Sequence, residues 1–145
     1  MGYTTTFEGR LNIVAADPDF DASNVIRELK LFLGMDFTQA WEAAKKKYNI
    51  HTRWCNWQLD YDVTRSDSIF LKWNGSEKSY CMYEWLHFIN DEFLAPNGLS
   101  LEGFVRAQGE DPKDLWAIKV IDKKPTLMRP KVVWYPNILD DKFAV

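Results

Sequence analysis

The chain has 145 residues, a formal net charge of −3, 46% hydrophobic residues and seven tryptophans. The acidic balance excludes general electrostatic binding to nucleic acid, which needs a basic face, and no apolar run approaches the roughly 20 residues that a membrane-spanning helix requires. The length and the aromatic share suffice for a single domain over residues 1–145 with one buried core, with residues 137–145 read as a loose tail.

Residues 3 to 13 alternate, with Tyr3, Thr5, Phe7, Gly9, Leu11 and Ile13 on one face, which predicts a half-buried strand. Asp21 follows a Asp17-Pro18-Asp19 break as a helix cap, and Val25, Ile26, Leu29, Phe32 and Leu33 recur at helical spacing up to Gly34. Asp36 and Gln39 resemble a capping box ahead of a second apolar stripe, Phe37, Ala40, Trp41, Ala44 and Tyr48, which Lys45, Lys46 and Lys47 close as a solvated charge run favouring the helix's negative pole.

From Trp57 the period returns to two, with Leu59, Tyr61 and Val63 on one side, a Thr64-Arg65-Ser66-Asp67 turn, and then Ile69, Leu71 and Trp73: a hairpin. Ser76 is expected to cap a helix after the Asn74-Gly75 turn, with its apolar face running to Phe93 before Pro96-Asn97-Gly98. Strands follow from Leu99 to Ala107 and from Leu115 to Ile121, separated by a turn at Gly109-Glu110-Asp111-Pro112 where Gly109 is expected to take positive φ. A last strand from Leu127 to Trp134 would lie at an edge because of Pro130. The order predicts an α+β fold: an antiparallel sheet with helices on one face, ferredoxin-like (split β-α-β) with extra strands.

Several spaced motifs resemble a family of small uncharacterised proteins of bacterial genomes and their phages: Gly2-Tyr3-Thr4-Thr5-Thr6-Phe7, Trp54-Cys55-Asn56-Trp57, Trp73-Asn74-Gly75-Ser76-Glu77-Lys78-Ser79-Tyr80, Glu84-Trp85-Leu86, Phe93-Leu94-Ala95-Pro96 and Gln108-Gly109-Glu110-Asp111. The resemblance covers the first strand and about residues 54 to 122, and it implies shared ancestry and fold without an activity. Residues 14 to 52 and the tail after Thr126 depart from it, and Asn74 stands where the family usually has an acidic residue.

The candidate ligand-binding residues are Trp54, Trp73, Glu77, Lys78, Tyr80, Gln108, Glu110 and Asp111. A helix N-terminus at Asn74 to Lys78 would attract an anion, although Ser76, Glu77 and Lys78 equally suit capping and solubility. Glu110 and Asp111 would supply paired carboxylates if that turn met Glu77 and Lys78, and otherwise form a plain hairpin turn. Trp54, Trp57, Trp73, Tyr80 and Trp85 are either core or a stacking platform, with Trp54 the best candidate for a ligand.

No nucleophile elbow, catalytic triad order, phosphate loop or zinc-protease motif occurs, so no catalytic residue is assigned and the reading leans against an enzyme. No cofactor is expected. His51, Cys55, Cys81 and His87 could be assembled into a zinc site, but the preferred reading is two reduced thiols in a cytosolic protein and no metal.

Met1-Gly2-Tyr3-Thr4 lacks the regions of a signal peptide and only superficially fits a myristoylation pattern, so no membrane partner and a location in the cytoplasm of a bacterial host cell are expected. The leading expectation is a phage-encoded interaction protein that occupies a host protein, for example as an inhibitor of bacterial defence. The rival is a protein or enzyme with a pocket for a small nucleotide-like ligand at the two polar turns. A structural component would instead self-assemble symmetrically.

Overall fold

The computed structural model describes residues 3–34, 38–62, 64 and 68–137, side chains at 38–40 and 43 excepted. The expectations for Met1-Gly2, the Asp36 capping signal, Phe37, Val63, the Arg65-Ser66-Asp67 part of the turn and the tail beyond Asn137 lie outside the described residues, as do the side chains of Gln39 and Ala40.

Alternation at the start of the chain produces β1 (Thr6–Ala15), which places Phe7 and Leu11 inside. Asp21 is not the cap of α1 (Ser23–Leu33) that was expected: the N-cap is Ala22, without a side-chain hydrogen bond, and Asp21, one residue earlier, accepts the backbone N–H and the hydroxyl of Ser23, while Val25, Ile26 and Leu29 form the buried stripe up to Gly34. A separate helix, α2 (Thr38–Tyr48), follows. The hairpin β2 (Trp57–Tyr61) and β3 (Ile69–Trp73) comes next, then α3 (Met82–Ile89), a single π-helical turn over Asn90–Leu94 and a short 3-10 turn. The chain finishes with β4 (Leu99–Gln108), β5 (Leu115–Ile121) and β6 (Lys124–Met128).

These elements make an α+β fold, with one six-stranded antiparallel sheet in the order β2-β3-β1-β4-β5-β6. β3 lies between β1 and β2, so the two strands flanking it run in the same direction and the chain crosses between them through α1 and α2. This interleaving is what a split strand-helix-strand arrangement requires; β5 and β6 extend the sheet beyond β4.

Register assigns the faces. Leu11 lies opposite Leu71 and Gly103, and Val105 opposite Gly9 and Ile118, so one face of the sheet carries Leu11, Leu71, Val105 and Ile118. These four are fully buried and share one hydrophobic cluster with Val25 and Leu29 of α1, Ala44 of α2 and Trp85, Leu86 and Ile89 of α3. The other face carries Arg10, whose guanidinium sits 4.4 Å from the Phe70 ring centre and pairs with Asp62 at 3.1 Å. Phe104 on that face is 51% exposed, beside an exposed Arg106.

Two further local expectations are corrected. Ser76 does not cap a helix: its N–H is held by the Asn74 side chain, its carbonyl accepts the Ser79 hydroxyl, and α3 begins only at Met82, behind Cys81 in the left-handed conformation at φ 58°. The final strand ends at Met128, ahead of Pro130, and not at Trp134; residues 129–137 carry no regular structure. A proline with no N–H, following Arg129, stops the ladder on an edge strand.

Asp62 couples the open face to pH. Its carboxylate accepts the hydroxyl and the backbone N–H of Thr64 and then the Arg10 guanidinium, which together lower its pKa from 3.8 to about 2. A depressed carboxylate contributes stability that is present above its unfolded pKa and is lost as pH falls through the folded one. The thermal midpoint is therefore expected to fall between about pH 4 and pH 2, and an Asp62→Asn protein should show a shallower fall over that interval. Identical slopes for the two proteins would refute the assignment.

Candidate interaction surface

The surface is built on two loops that the sheet brings side by side: residues 49–56 leading into β2, and residues 74–81 leaving β3. Asn56 is buried between them. Its carbonyl accepts the Asn74 N–H at 3.0 Å, its side-chain oxygen accepts the Asn74 side-chain N–H at 3.1 Å, and its own side-chain N–H donates to the Lys78 carbonyl at 3.4 Å. A buried amide whose donors and acceptors are met on three sides fixes both loops at once. Trp73 donates its indole N–H to the Ser79 hydroxyl at 2.7 Å, and Trp57 donates its own to the Met82 carbonyl at 2.8 Å, so the strand ends are tied to the start of α3.

On this frame Trp54 stands 64% exposed and Tyr80 is also exposed. The Arg53 guanidinium lies 5.7 Å from the Trp54 ring centre and 5.8 Å from that of Trp41, and the Lys45 ammonium lies 4.7 Å from the Trp41 ring centre. Trp41 is itself anchored by donating its indole N–H to the Ile50 carbonyl at 3.0 Å. The result is a strip of alternating cations and indole faces, Lys45, Trp41, Arg53 and Trp54, held against α2. Lys45 also pairs with Glu42 at 2.7 Å.

Of the sequence candidates, Trp54, Trp73, Glu77, Lys78 and Tyr80 gather here. Trp73 faces inward, packing 5.6 Å from Phe7 as part of the fold; Glu77 and Lys78 are solvent-exposed on a bend and not on the first turn of a helix. The helix N-terminus expected to attract an anion at Asn74 to Lys78 is therefore absent from that position. Trp41, Lys45 and Arg53 were not among the candidates. The available signal was the four-residue spacing of Trp41 and Lys45, which puts them on one face of a helix.

Gln108, Glu110 and Asp111 form a different structure. The Gln108 side-chain N–H group faces the carbonyls of Gly109 and Asp111 at 3.2 and 3.1 Å, closing the turn from inside. Glu110 accepts the Thr4 N–H at 2.7 Å, the Asp111 N–H donates to the Tyr3 hydroxyl at 3.0 Å, and that hydroxyl donates to Asp114 at 2.9 Å. The segment is a clasp that pins the start of the chain to the β4–β5 connection. Gly109 does not take the expected positive φ; a Cβ there would lie 2.3 Å from both the Asp114 carboxylate and the Tyr3 hydroxyl, so any larger residue would have to displace these two side chains from the clasp.

Both turns sit at the same end of the sheet, since Phe7 touches Trp73 on one side and Trp116, at 5.7 Å, on the other. Among the described residues no hydrogen bond or ion pair joins Glu77 or Lys78 to Gln108, Glu110 or Asp111. Glu110 and Asp111 are directed to separate backbone donors, Thr4 and Lys113.

Of His51, Cys55, Cys81 and His87, only His51 and Cys81 are in contact. The Cys81 sulfur lies 3.5 Å from the His51 ring nitrogens, whereas His87 packs edge-on against Tyr83 at 4.6 Å. Burial pushes the Cys55 thiol up to about 12, and burial likewise raises Cys81, so both thiols stay protonated at neutral pH. No group of three or more metal-ligating side chains occurs among the described residues.

The chain matches no known family model, no curated protein and no solved structure. Fold and surface together define its class: an α+β protein with a single antiparallel sheet, presenting a cation–indole strip on a pair of hydrogen-bonded loops. No helix among the described residues is long and apolar enough to cross a membrane.

Proposed function

We propose that this chain is an interaction protein that binds a protein of a bacterial host cell through the strip of Trp54, Arg53, Trp41 and Lys45, with Tyr80 exposed on the adjoining loop. The single observation behind the reading is Trp54, a large ring left 64% exposed on a loop that the buried Asn56 holds in place. Tryptophan, tyrosine and arginine dominate binding energy at protein interfaces, and a ring already held in place loses little freedom on binding. The partner chemistry that fits is an apolar pocket for the indole, rimmed by carboxylates that meet Arg53 and Lys45. The resemblance to phage proteins supports occupation of a host defence protein as the role.

The test is capture of a partner from a bacterial host lysate, followed by binding of the purified pair. Trp54→Ala is expected to weaken binding by about 30-fold or more, and Arg53→Glu to weaken it through repulsion by the acidic rim. Both proteins should keep the parent's thermal midpoint to within about 2 °C, as exposed substitutions do. Parental affinity in both would sink the proposal.

A second reading, binding of a small nucleotide-like ligand, is supported by a cleft of about 270 Å³ between α3 and the β5–β6 edge, where Tyr83, Glu84, Asp114, Trp116 and Arg129 converge. Trp116 would stack a planar base there and Arg129 would meet a phosphate. A thermal midpoint unmoved by saturating nucleotides removes this reading and leaves the first intact.

A further inference from the structure

Two carboxylates, Glu84 and Asp114, line the cleft of about 270 Å³ between α3 and the β5–β6 edge. Asp114 is already engaged: its side chain accepts the Tyr3 hydroxyl at 2.9 Å and its carbonyl accepts the Gly109 N–H at 2.8 Å. Glu84 is different. It stands half-buried in the first turn of α3 and has no hydrogen-bond or ion-pair partner among the described residues. Arg129, exposed in the same lining, has none either.

The walls around Glu84 are held in place by the protein's own contacts. Its neighbour Tyr83 donates its hydroxyl to the Pro125 carbonyl at 3.3 Å, which ties α3 to β6, and packs edge-on against His87 at 4.6 Å. Trp116 packs edge-on against Phe7 at 5.7 Å, and Leu127 leaves 39% of its surface exposed. With Tyr83, these two give the cleft an apolar lining suited to a flat ring, and a lining set before binding loses little freedom when a ring enters. A flat ligand lodged there meets, in Glu84, an unpaired carboxylate.

That carboxylate discriminates among flat ligands. Ionised, it accepts hydrogen bonds and donates none. Guanine alone of the common bases carries two neighbouring donors, the ring N1–H and the N2 amino group, and so can meet both oxygens at once in a charge-assisted pair. Adenine and cytosine set a ring acceptor beside their amino group, and uracil sets a carbonyl on each side of its N–H. Each therefore brings a lone pair against a negative oxygen and leaves it unmatched.

On the nucleotide reading of this cleft, on which this step rests, we propose that Glu84 makes it selective for guanine. Glu84 accepts N1–H and N2–H of the base, Trp116 stacks on its face and Arg129 meets the phosphate. A carboxylate that served only the positive pole of α3 would give the helix stability and no preference among bases.

The test is isothermal titration calorimetry of the full chain with the 5′-monophosphates of guanosine, inosine, adenosine, cytidine and uridine. Guanosine monophosphate is expected to bind about 30-fold or more tightly than the adenosine, cytidine and uridine compounds. Inosine monophosphate, which keeps N1–H and lacks the amino group, should lose about 10-fold. Glu84→Gln should bring all the compounds within about threefold of one another, since an amide presents one acceptor and one donor group, while Arg129→Gln should weaken them all by a common factor. An unchanged near-ultraviolet spectrum in both variants verifies the fold. No heat from any of the compounds overturns the nucleotide reading and the selectivity together. Equal affinity for all of them, or a guanine preference that survives in Glu84→Gln, overturns the selectivity alone and leaves the nucleotide reading standing.

Discussion

Replacing Trp57 with alanine is expected to lower stability by about 3–5 kcal/mol. Trp57 is 1% exposed, lies directly opposite Trp73 across the β2–β3 ladder and belongs to the core cluster shared by the sheet and α3. Its indole also donates to the carbonyl of Met82, the first residue of α3, so truncation opens a cavity and releases the helix start from the sheet. Domains of this size hold about 5–15 kcal/mol in total, so the loss is a large fraction of the whole and the thermal midpoint should fall by roughly 10–20 °C. Trp57→Phe separates the two contributions: it keeps most of the ring volume and loses the hydrogen bond, worth about 1 kcal/mol. Thermal unfolding of the three proteins decides the matter, and a Trp57→Ala midpoint within about 5 °C of the parent would contradict this account.

Gly9→Ala is expected to disrupt the centre of the sheet. Gly9 takes φ 111°, and a Cβ there would lie 2.4 Å from the Phe104 carbonyl oxygen, a backbone atom that cannot swing aside. Gly103 stands in the reciprocal position, with a Cβ that would meet the Arg10 carbonyl at 2.5 Å. Since Gly9 pairs with Val105 and Leu11 with Gly103, the two glycines mark places where β1 and β4 come too close for any side chain. The strained backbone costs about 1–3 kcal/mol and the overpacking about as much again. Amide exchange should show the loss first along β1 and β4, where protection would drop by an order of magnitude or more, ahead of the β2–β3 hairpin. Equal protection in both places would mean that the strands absorb the methyl group.

Sheet strands with a buried face were legible because alternation has a period that nothing else in the chain imitates: Phe7 and Leu11, and Leu101 and Val105, stand where their spacing put them. α1 was legible for the same reason, through Val25, Ile26 and Leu29. The start of α3 was misread because Ser76 and Glu77 carry the composition of a cap, while their hydrogen bonds are taken by Asn74 and Ser79 in a bend. The end of β6 was misread because the Val-Val-Trp-Tyr run has strand propensity and no neighbouring strand; propensity describes a fit to a pleated surface, and none is supplied there.

The candidate surface was half legible. Trp54 stood out because it precedes the regular alternation; that it is exposed and not core was decided by the fold. Its companions Arg53, Trp41 and Lys45 were hidden because they come from a helix and a loop that meet only in the fold. Glu110 and Asp111 looked like chemistry because acidic turns can serve as sites; what they meet is Thr4, Tyr3 and Lys113, which turns carboxylates and backbone into a clasp.

By itself the sequence determined the α+β class, the antiparallel sheet and the buried faces of β1, α1 and β4, because burial patterns follow local periods of two and 3.6 residues that each segment carries alone. Only the tertiary structure decided which loops lie together and which acidic residues are already engaged. Those facts depend on pairings between residues as far apart as Tyr3 and Asp114 or Asn56 and Lys78. Such pairings are set by strand order and register and have no signature within any one segment.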